Sequence, residues 1–173
     1  GNRVNLPTLT SSLLPNYYLS NLGIFALERY VNQKMEIDMG LRLDTKDIEI
    51  HRPIQNYSTT IKRDLSNYIG LSGSMGLKYH WTQNFENHLI LARAFRAPSP
   101  NELFSNGVHH GAGAYEIGDP LLKGETAYNI SLNSLYRTEK LELEIGLYTN
   151  TIHHFINLKP LIEKGEPAFI TTV

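Results

Sequence analysis

Side chains that can bind a ligand are concentrated in the stretch RAFRAPSPNELFSNGVHHGAGAYEIGDPLLKGET, which begins at Arg93. Imidazole nitrogens suit Zn, Cu and Fe, so a metal ion or a metal chelate is a candidate ligand. Adjacent histidines reach one ion only when the loop folds suitably, and no His-x3-His spacing is present. The alternative is that these are simply exposed polar residues. We predict ligand binding, with metal binding left open, by Asn106, His109, His110, Tyr115, Glu116 and Asp119.

The sequence contains no sign of catalytic chemistry. There is no G-x-S-x-G motif and no Gly-rich phosphate loop. Glu142 and Glu144 would lie about 7 Å apart on a strand, a spacing found between glycosidase carboxylates, but a solvated strand face explains them equally. The absence of Cys excludes thiolate metal sites, Cys nucleophiles and disulfides. We therefore predict neither an enzyme nor a cofactor, and the net charge of -1 argues against nucleic acid.

Alternating apolar and polar residues predict strands as the elements that position these side chains. In LELEIGLYTNT every second residue from Leu141 to Leu147 is apolar. The same period of two runs through KMEIDMGLRLD, YIGLSGSMGLKYHW and ETAYNISLNSLY, and more weakly through NLGIFALERYV. No run approaches the roughly 18 apolar residues of a membrane helix. The pattern indicates an all-β protein in which each strand has one apolar face.

Residues 87–95 are apolar on both parities, so the period alone does not orient them. Arg on the lipid face of a membrane barrel costs about 2–4 kcal/mol at the bilayer midplane. We therefore expect Arg93 to point into the lumen, with Ile90, Ala92 and Ala94 toward lipid. Arg93 and Arg96 would then present charge to an anionic ligand inside the barrel, or pair with an acidic residue on a neighbouring strand.

The predicted connections alternate between short and long. VNQK, TQNFE and RTEK are short, whereas residues 48–66, 97–123 and 158–167 are long. Outer-membrane barrels place short turns on the periplasmic side and long loops outside. Aromatic residues near both strand ends, including Tyr68, agree with interfacial girdles, although such residues also favour strands in general.

FRAPS, NELFSNGVHH, YEIGDP and LKGET resemble the corresponding segments of TonB-dependent outer-membrane receptors, as do LGIFALERY, MGLRLD, IHHFINLKP and GEPAF. The resemblance covers most of residues 17–173. One difference is Gly124, where the family commonly has Pro in LKPET. It implies an antiparallel up-and-down meander of about seven strands, part of a 22-stranded transmembrane β-barrel. Residues 1–16 would be a loop or end segment, and AFITTV would begin the seventh strand.

The resemblance further implies energy-coupled uptake of a scarce ligand, such as a metal chelate, siderophore or glycan, at the bacterial outer membrane. The expected partners are outer-membrane lipid, a plug domain encoded upstream and the TonB energy complex. Alone, these strands would leave open edges and self-associate. The sequence does not identify the ligand.

Two other interpretations remain open from the sequence. One is a complete small outer-membrane barrel of eight strands, either structural or lipase-like, for which the length suffices. The other is a soluble ligand-binding β-barrel or sandwich. That protein would be a monomer whose apolar residues are buried against a second layer.

Overall fold

A computed structural model describes residues 2–4, 13–53, 61–109, 111, 113–163 and 166–173. The one helix in these ranges is α1 (Pro100–Phe104), and no helix there is long and apolar enough to cross a membrane. The strands are β1 (Asn2–Val4), β2 (Asn16–Val31), β3 (Met35–Pro53), β4 (Ile61–His80), β5 (Phe85–Arg96), β6 (Asn106–His109), β7 (Ala114–Ile117), β8 (Glu125–Arg137), β9 (Glu142–His153), β10 (Asn157–Glu163) and β11 (Glu166–Thr172). The predicted all-β class is confirmed.

Seven strands form one antiparallel sheet in the order β1-β2-β3-β4-β5-β8-β9. Neighbours in this sheet are neighbours along the chain, except that β5 pairs with β8 across the segment that carries α1, β6 and β7. This is the predicted up-and-down meander. Within the described residues β1 and β9 do not pair with each other, so the sheet is open rather than closed into a barrel.

The strand register collects the predicted apolar residues on one side of this sheet. Residues directly opposite each other in an antiparallel pair point to the same side, and Ile24 faces Leu43, Leu43 faces Leu71, and Leu132 faces Leu147. We call this side the apolar face. It comprises Leu22, Ile24, Ala26, Tyr30, Met35, Ile37, Met39, Leu41, Leu43, Ile69, Leu71, Met75, Leu77, Tyr79, Phe85, Leu89, Leu91, Tyr128, Ile130, Leu132, Tyr136, Leu143, Ile145 and Leu147.

The opposite side of the sheet, the polar face, carries charged residues that pair with each other. The Arg29 Nη2 atom lies 2.8 Å from Glu36 Oε2, and Arg42 Nη2 lies 2.6 Å from Asp44 Oδ1. His80 lies between two carboxylates, with its Nδ1 atom 2.9 Å from Glu86 Oε2. Side chains of this kind need water or an ionic partner, so the two faces of the sheet suit different surroundings.

Among the residues whose burial the structure describes, the hydrophobic core lies at the end of the sheet where the long connections are. Ile48 and Ile50 of β3 are fully buried together with Leu103, against Phe104, Leu122 and Ile156. By contrast, Leu22, Ile69 and Leu147 on the apolar face are 68%, 66% and 66% exposed. The described residues therefore supply no second layer over the apolar face.

The final residues do not extend the large sheet, as AFITTV was expected to do. β11 forms a hairpin with β10 and a parallel pair with β7, in a smaller sheet of order β10-β11-β7-β6. The seventh strand of the large sheet is instead β1, which pairs with Tyr17–Leu19. Period two indicates a strand but not its partner, and the partner of β11 is distant in sequence.

The predicted long connection at residues 48–66 is mostly strand. β3 continues to Pro53 and β4 begins at Ile61, while residues 54–60 lie outside the described ranges. Ile48 pairs with Ser66 and Ile50 with Asp64, so the ladder extends beyond the apolar face. The strands continue because Ile48 and Ile50 bury their side chains under the connection that follows β5.

Candidate functional site

The segment from Ala97 to Gly124 follows β5 and folds back over the polar face; we call it the β5–β8 loop. It begins with a capping box, in which the Ser99 backbone N–H donates to Glu102 at 2.7 Å and the Glu102 N–H donates to Ser99 Oγ at 3.3 Å. These bonds satisfy amides that the first turn of α1 leaves free. Pro100 occupies the first turn, where a missing N–H has no cost. The cap places the Glu102 carboxylate at the base of the loop.

Two side chains of the polar face fasten the loop to the sheet. Lys46 Nζ donates to the Pro98 carbonyl at 2.8 Å, and the Tyr68 hydroxyl donates to the Leu122 carbonyl at 3.0 Å. Tyr68 pairs with Lys46 across β3 and β4, so it lies on the polar face. The interpretation of Tyr68 as a girdle residue is therefore wrong, because its ring lies on the polar face and its hydroxyl binds a carbonyl of the β5–β8 loop.

Arg96, the last residue of β5, holds the two ends of the loop together. Its Nη1 atom donates to both Glu102 carboxylate oxygens at 2.9 Å, and its Nε donates to Glu125, the first residue of β8. The Ile156 N–H also donates to Glu125 at 2.6 Å. The hydrogen bond from Arg96, with a smaller effect from the Ile156 N–H, holds the pKa of Glu125 below its ordinary value. The bond to Glu125 in turn raises the pKa of Arg96. Arg96 therefore pairs with an acidic residue of a neighbouring strand, Glu125 of β8. This is one of the two roles that the sequence analysis gave for Arg96.

The β6–β7 hairpin carries four of the six predicted ligand residues but divides them between its two sides. His109 Nδ1 lies 2.6 Å from Glu116 Oε1, whereas the Tyr115 hydroxyl donates to Asn106 Oδ1 at 2.8 Å. The register places Gly107 opposite Glu116 and Val108 opposite Tyr115. Neighbours along a strand point to opposite sides, so His109 and Glu116 form one pair and Asn106 and Tyr115 another.

The remaining two predicted residues do not join either pair. Asp119 accepts from the Leu121 N–H at 2.8 Å, and its own N–H donates to the Glu102 carbonyl at 2.9 Å. It therefore stabilises the turn that leads into β8. His110 lies outside the described residues.

His109 and Glu116 line a pocket of about 390 Å³ between the hairpin and the C-terminal residues. Its other walls are Asn101, Glu102, Ile156, Asn157, Leu158 and Thr171. Glu116 and Thr171 are buried. Each carboxylate has a basic partner, Arg96 for Glu102 and His109 for Glu116. The lining side chains can offer amide, hydroxyl and carboxylate groups to a small polar ligand.

The sequence did not single out Asn157 or Thr171 for this pocket. They belong to β10 and β11, and reach it because β11 pairs with β7 in parallel. Glu102 lay within the stretch already recognised, and the Ser-x-x-Glu capping spacing at Ser99 and Glu102 was the signal that could have located it.

The described part of the chain holds no group of three or more His, Asp or Glu side chains placed to bind a metal ion. His109 and Glu116 together supply two ligands. A protein site for Zn²⁺ usually has at least three protein ligands.

Arg93 lies on the apolar face, so the prediction that it points into the lumen with Arg96 is wrong. It pairs with Gly73 on β4 and Tyr128 on β8. Ile90, Ala92 and Ala94 pair instead with Ser131, Asn129 and Ala127, on the polar face. The cost of about 2–4 kcal/mol for Arg on the lipid face applies at the bilayer midplane, and it falls to about 0–1 kcal/mol near an interface. Arg93 lies where the apolar face ends on β5 and β8.

Comparisons with known proteins agree with this arrangement. The family model described as TonB dependent receptor-like, beta-barrel matches residues 2–170. The copper transporter OprC superposes with a TM-score of 0.70 at 20% identity, covering 90% of this chain and 24% of its own. The hemophore receptor HasR of Serratia marcescens, solved with its hemophore HasA and heme, gives 0.72 at 14% identity, with coverages of 92% and 30%.

The FrpB iron transporter of Neisseria meningitidis has the same fold, with a TM-score of 0.59 at 16% identity over 92% of this chain and 22% of its own. This chain therefore spans about a quarter of the solved structures that it matches. The superposed sheets and the family match over nearly the whole sequence lead to one conclusion: the chain belongs to the TonB-dependent receptor β-barrel family.

Proposed function

We propose that this chain forms part of the wall of a bacterial outer-membrane receptor that imports a scarce, metal-containing ligand. The import is driven by the TonB energy complex through a plug domain encoded elsewhere in the same protein. The observation that carries the proposal is the continuous apolar face on six strands, which no other part of the described chain covers, together with the polar face on the opposite side of the sheet.

The dimensions of the apolar face support a membrane position. From Met35 to Leu43 and from Ile69 to Tyr79, at about 3.3 Å per residue, it runs about 26 and 33 Å along the strands. A strand tilt of about 35–45° reduces these lengths to about 19–27 Å along the barrel axis. The lipid-facing band of outer-membrane barrels is about 25 Å tall. The charged residues within the face, Glu28 and Arg93, each lie three residues from the end of their own strand, Val31 in β2 and Arg96 in β5.

The same observation weighs against the two alternative interpretations. A soluble barrel or sandwich would bury Leu22, Ile69 and Leu147, which are mostly exposed. A complete eight-stranded barrel requires closure, whereas the described strands form an open sheet of seven. The match to a receptor barrel family and the similarity to a copper transporter favour transport over catalysis.

A metal-containing ligand is favoured over a glycan by the proteins with the same fold. OprC is a copper transporter, HasR binds a hemophore and heme, and FrpB is an iron transporter. We propose that His109 and Glu116, with Asn157, contact this ligand in the pocket beside the hairpin. The ligand would approach from the side of the long connections, which corresponds to the cell exterior.

The orientation can be tested in the full-length receptor by cysteine labelling, because this part of the chain contains no Cys. Leu121→Cys, in the β5–β8 loop, should react with a membrane-impermeant maleimide on intact cells. Glu139→Cys, in the short turn between β8 and β9, should react only after the envelope is permeabilised. Labelling of both sites on intact cells, or of neither, would contradict the proposed topology.

The ligand site can be tested by uptake in the parent bacterium under metal limitation, using radiolabelled iron and copper chelates and a labelled glycan in parallel. We expect uptake of one metal chelate to fall at least about tenfold in His109→Ala and Glu116→Gln, as expected when a bound polar ligand loses a charged hydrogen-bond partner. Asn106→Ala, on the other side of the hairpin, is the matched control. Equal losses in all three variants would indicate loop damage rather than ligand contact.

A further inference from the structure

A groove of about 550 Å³ crosses the apolar face near its long-loop end. It exists because Gly73 contributes no side chain at the centre of a cross-strand row in which Leu41, Gly73, Arg93 and Tyr128 follow one another. A Cβ at Gly73 would lie 2.8 Å from Leu41 Cδ2. The walls are almost wholly apolar and include Met39, Leu41, Leu71, Met75, Leu91 and Ile130.

Arg93 lines the long-loop side of this groove on β5, and its guanidinium is only partly used. It donates to the Leu71 carbonyl, and its Nε donates to the Tyr128 hydroxyl at 3.4 Å. Its carbon Cζ lies 5.8 Å from the centre of the Tyr128 ring. A guanidinium has five N–H donors, so three are left over from these bonds. Among the described residues no carboxylate forms an ion pair with Arg93.

We propose that this groove binds one acylated lipid that carries an anionic phosphate, with an acyl chain along Gly73 and the phosphate on Arg93. This inference depends on the proposed membrane position of the apolar face. The occupant follows from the charge and shape of the site. An apolar trough that ends at a cation with no carboxylate partner in the described part of the chain is complementary to a molecule with a hydrocarbon tail and an anionic head.

The chemistry of the two groups supports this pairing. Guanidinium forms bidentate hydrogen bonds with phosphate oxygens, and these bonds are stronger than neutral ones. The Tyr128 ring holds the guanidinium in place through the contact already described. Arg93 lies where the apolar face ends on β5 and β8, so it would meet the headgroup region of the leaflet on the side of the long loops.

The test uses the full-length receptor, purified in mild detergent, and native mass spectrometry to measure the bound fraction of added lipid A. This probe bears acyl chains and phosphate, and phosphatidylcholine is the comparison, because its phosphate is balanced by its own cation. We expect lipid A to bind Arg93→Gln about tenfold more weakly than the wild type, as for the loss of a charged hydrogen-bond partner. Arg93→Lys should retain part of the binding, and phosphatidylcholine should not distinguish the variants.

Two further variants separate a lipid site from a general effect of charge or folding. Arg137→Gln removes an exposed cation at the short-turn end, where it pairs with Glu142, and should leave lipid A binding unchanged. Gly73→Val fills the groove and should weaken binding although Arg93 is intact. If Arg93→Gln does not assemble, Tyr128→Phe is used in its place, with a smaller expected loss.

Equal lipid A binding by the wild type, Arg93→Gln and Gly73→Val would overturn the inference, as would an equal loss in Arg137→Gln. Failure of the proposed function would be recognised separately. In that case the protein would not fractionate with the outer membrane, whatever it binds in detergent.

Discussion

The ring of Phe95 occupies the space that a side chain at Gly124 would need. A Cβ built on Gly124 would overlap the Phe95 ring, and one built on Gly70 would overlap the same ring from the sheet. Two glycines thus make room for one aromatic side chain where β5 leaves the sheet.

Gly124→Ala should therefore destabilise the β5–β8 loop by about 1–3 kcal/mol, the usual cost of overpacking. Combining it with Phe95→Leu should recover more than half of that loss, because the ring and the new methyl group compete for one space. The measurement is thermal unfolding of the full-length receptor together with limited proteolysis of the loop. Strictly additive losses in the double variant would show that the two positions do not interact.

The loop should also loosen at acidic pH through Glu125. The hydrogen bond from Arg96 lowers the pKa of Glu125 below its ordinary value of 4.5. A carboxylate with a depressed pKa in the folded state contributes stability above that ordinary value, and this contribution is lost as the pH falls below it. Hydrogen exchange of α1, corrected for intrinsic rates, should show protection at pH 7 that declines below about pH 4.5.

In Glu125→Gln the same protection should already be reduced at pH 7 and should change little with pH. Glu142→Gln, whose carboxylate pairs with Arg137 at the other end of the sheet, is the control and should behave as the wild type. An unchanged pH profile in Glu125→Gln would show that another group governs the loop.

The two faces of the sheet should respond differently to the same substitution. Leu132 lies in the middle of the apolar face of β8, and Asn133 beside it lies on the polar face. Leu132→Lys should cost about 2–4 kcal/mol, as expected for Lys at the bilayer midplane. Asn133→Lys should cost far less. Heat-modifiable mobility and unfolding in lipid vesicles measure both, and equal effects would argue against a lipid-facing side.

The small core under the loop should be separable from assembly of the barrel. Leu103 is fully buried with Ile48 and Ile50, so Leu103→Ala should cost about 2–5 kcal/mol of local stability. Limited proteolysis should cut the loop faster while the amount of receptor in the outer membrane stays the same. Leu121, which is 86% exposed, is the matched control, and Leu121→Ala should have little effect.

Residues 1–173 expressed alone should self-associate. β1 and β9 are the edges of the open sheet, and unpaired strand edges recruit further strands. The exposed apolar face adds a second reason. Size-exclusion chromatography should show oligomers or aggregates without detergent. A monodisperse monomer in plain buffer would contradict both this prediction and the lipid-facing interpretation.

Much of the large sheet could be derived from local pattern. Period two in LELEIGLYTNT or KMEIDMGLRLD indicates strands and sorts their side chains into two sets, because successive residues of a strand point to opposite sides. The short turns then make neighbouring strands antiparallel partners. These relationships act over a few residues, so the sequence determined the meander, its apolar face and, through longer motifs such as NELFSNGVHH, the family.

Only the tertiary structure decided which side Arg93 takes, which strand the tail joins and where the site residues meet. The side of Arg93 is fixed by the register of β5 with β4 and β8. The sequence could not predict that side, because residues 87–95 are apolar at both odd and even positions. The parallel pairing of β11 with β7 and the division of His109 and Asn106 between two sides of a hairpin depend on contacts distant in sequence. Such contacts depend on which distant segments of the chain pack against each other in the folded protein. The periodicity of residues along one strand does not specify those partners.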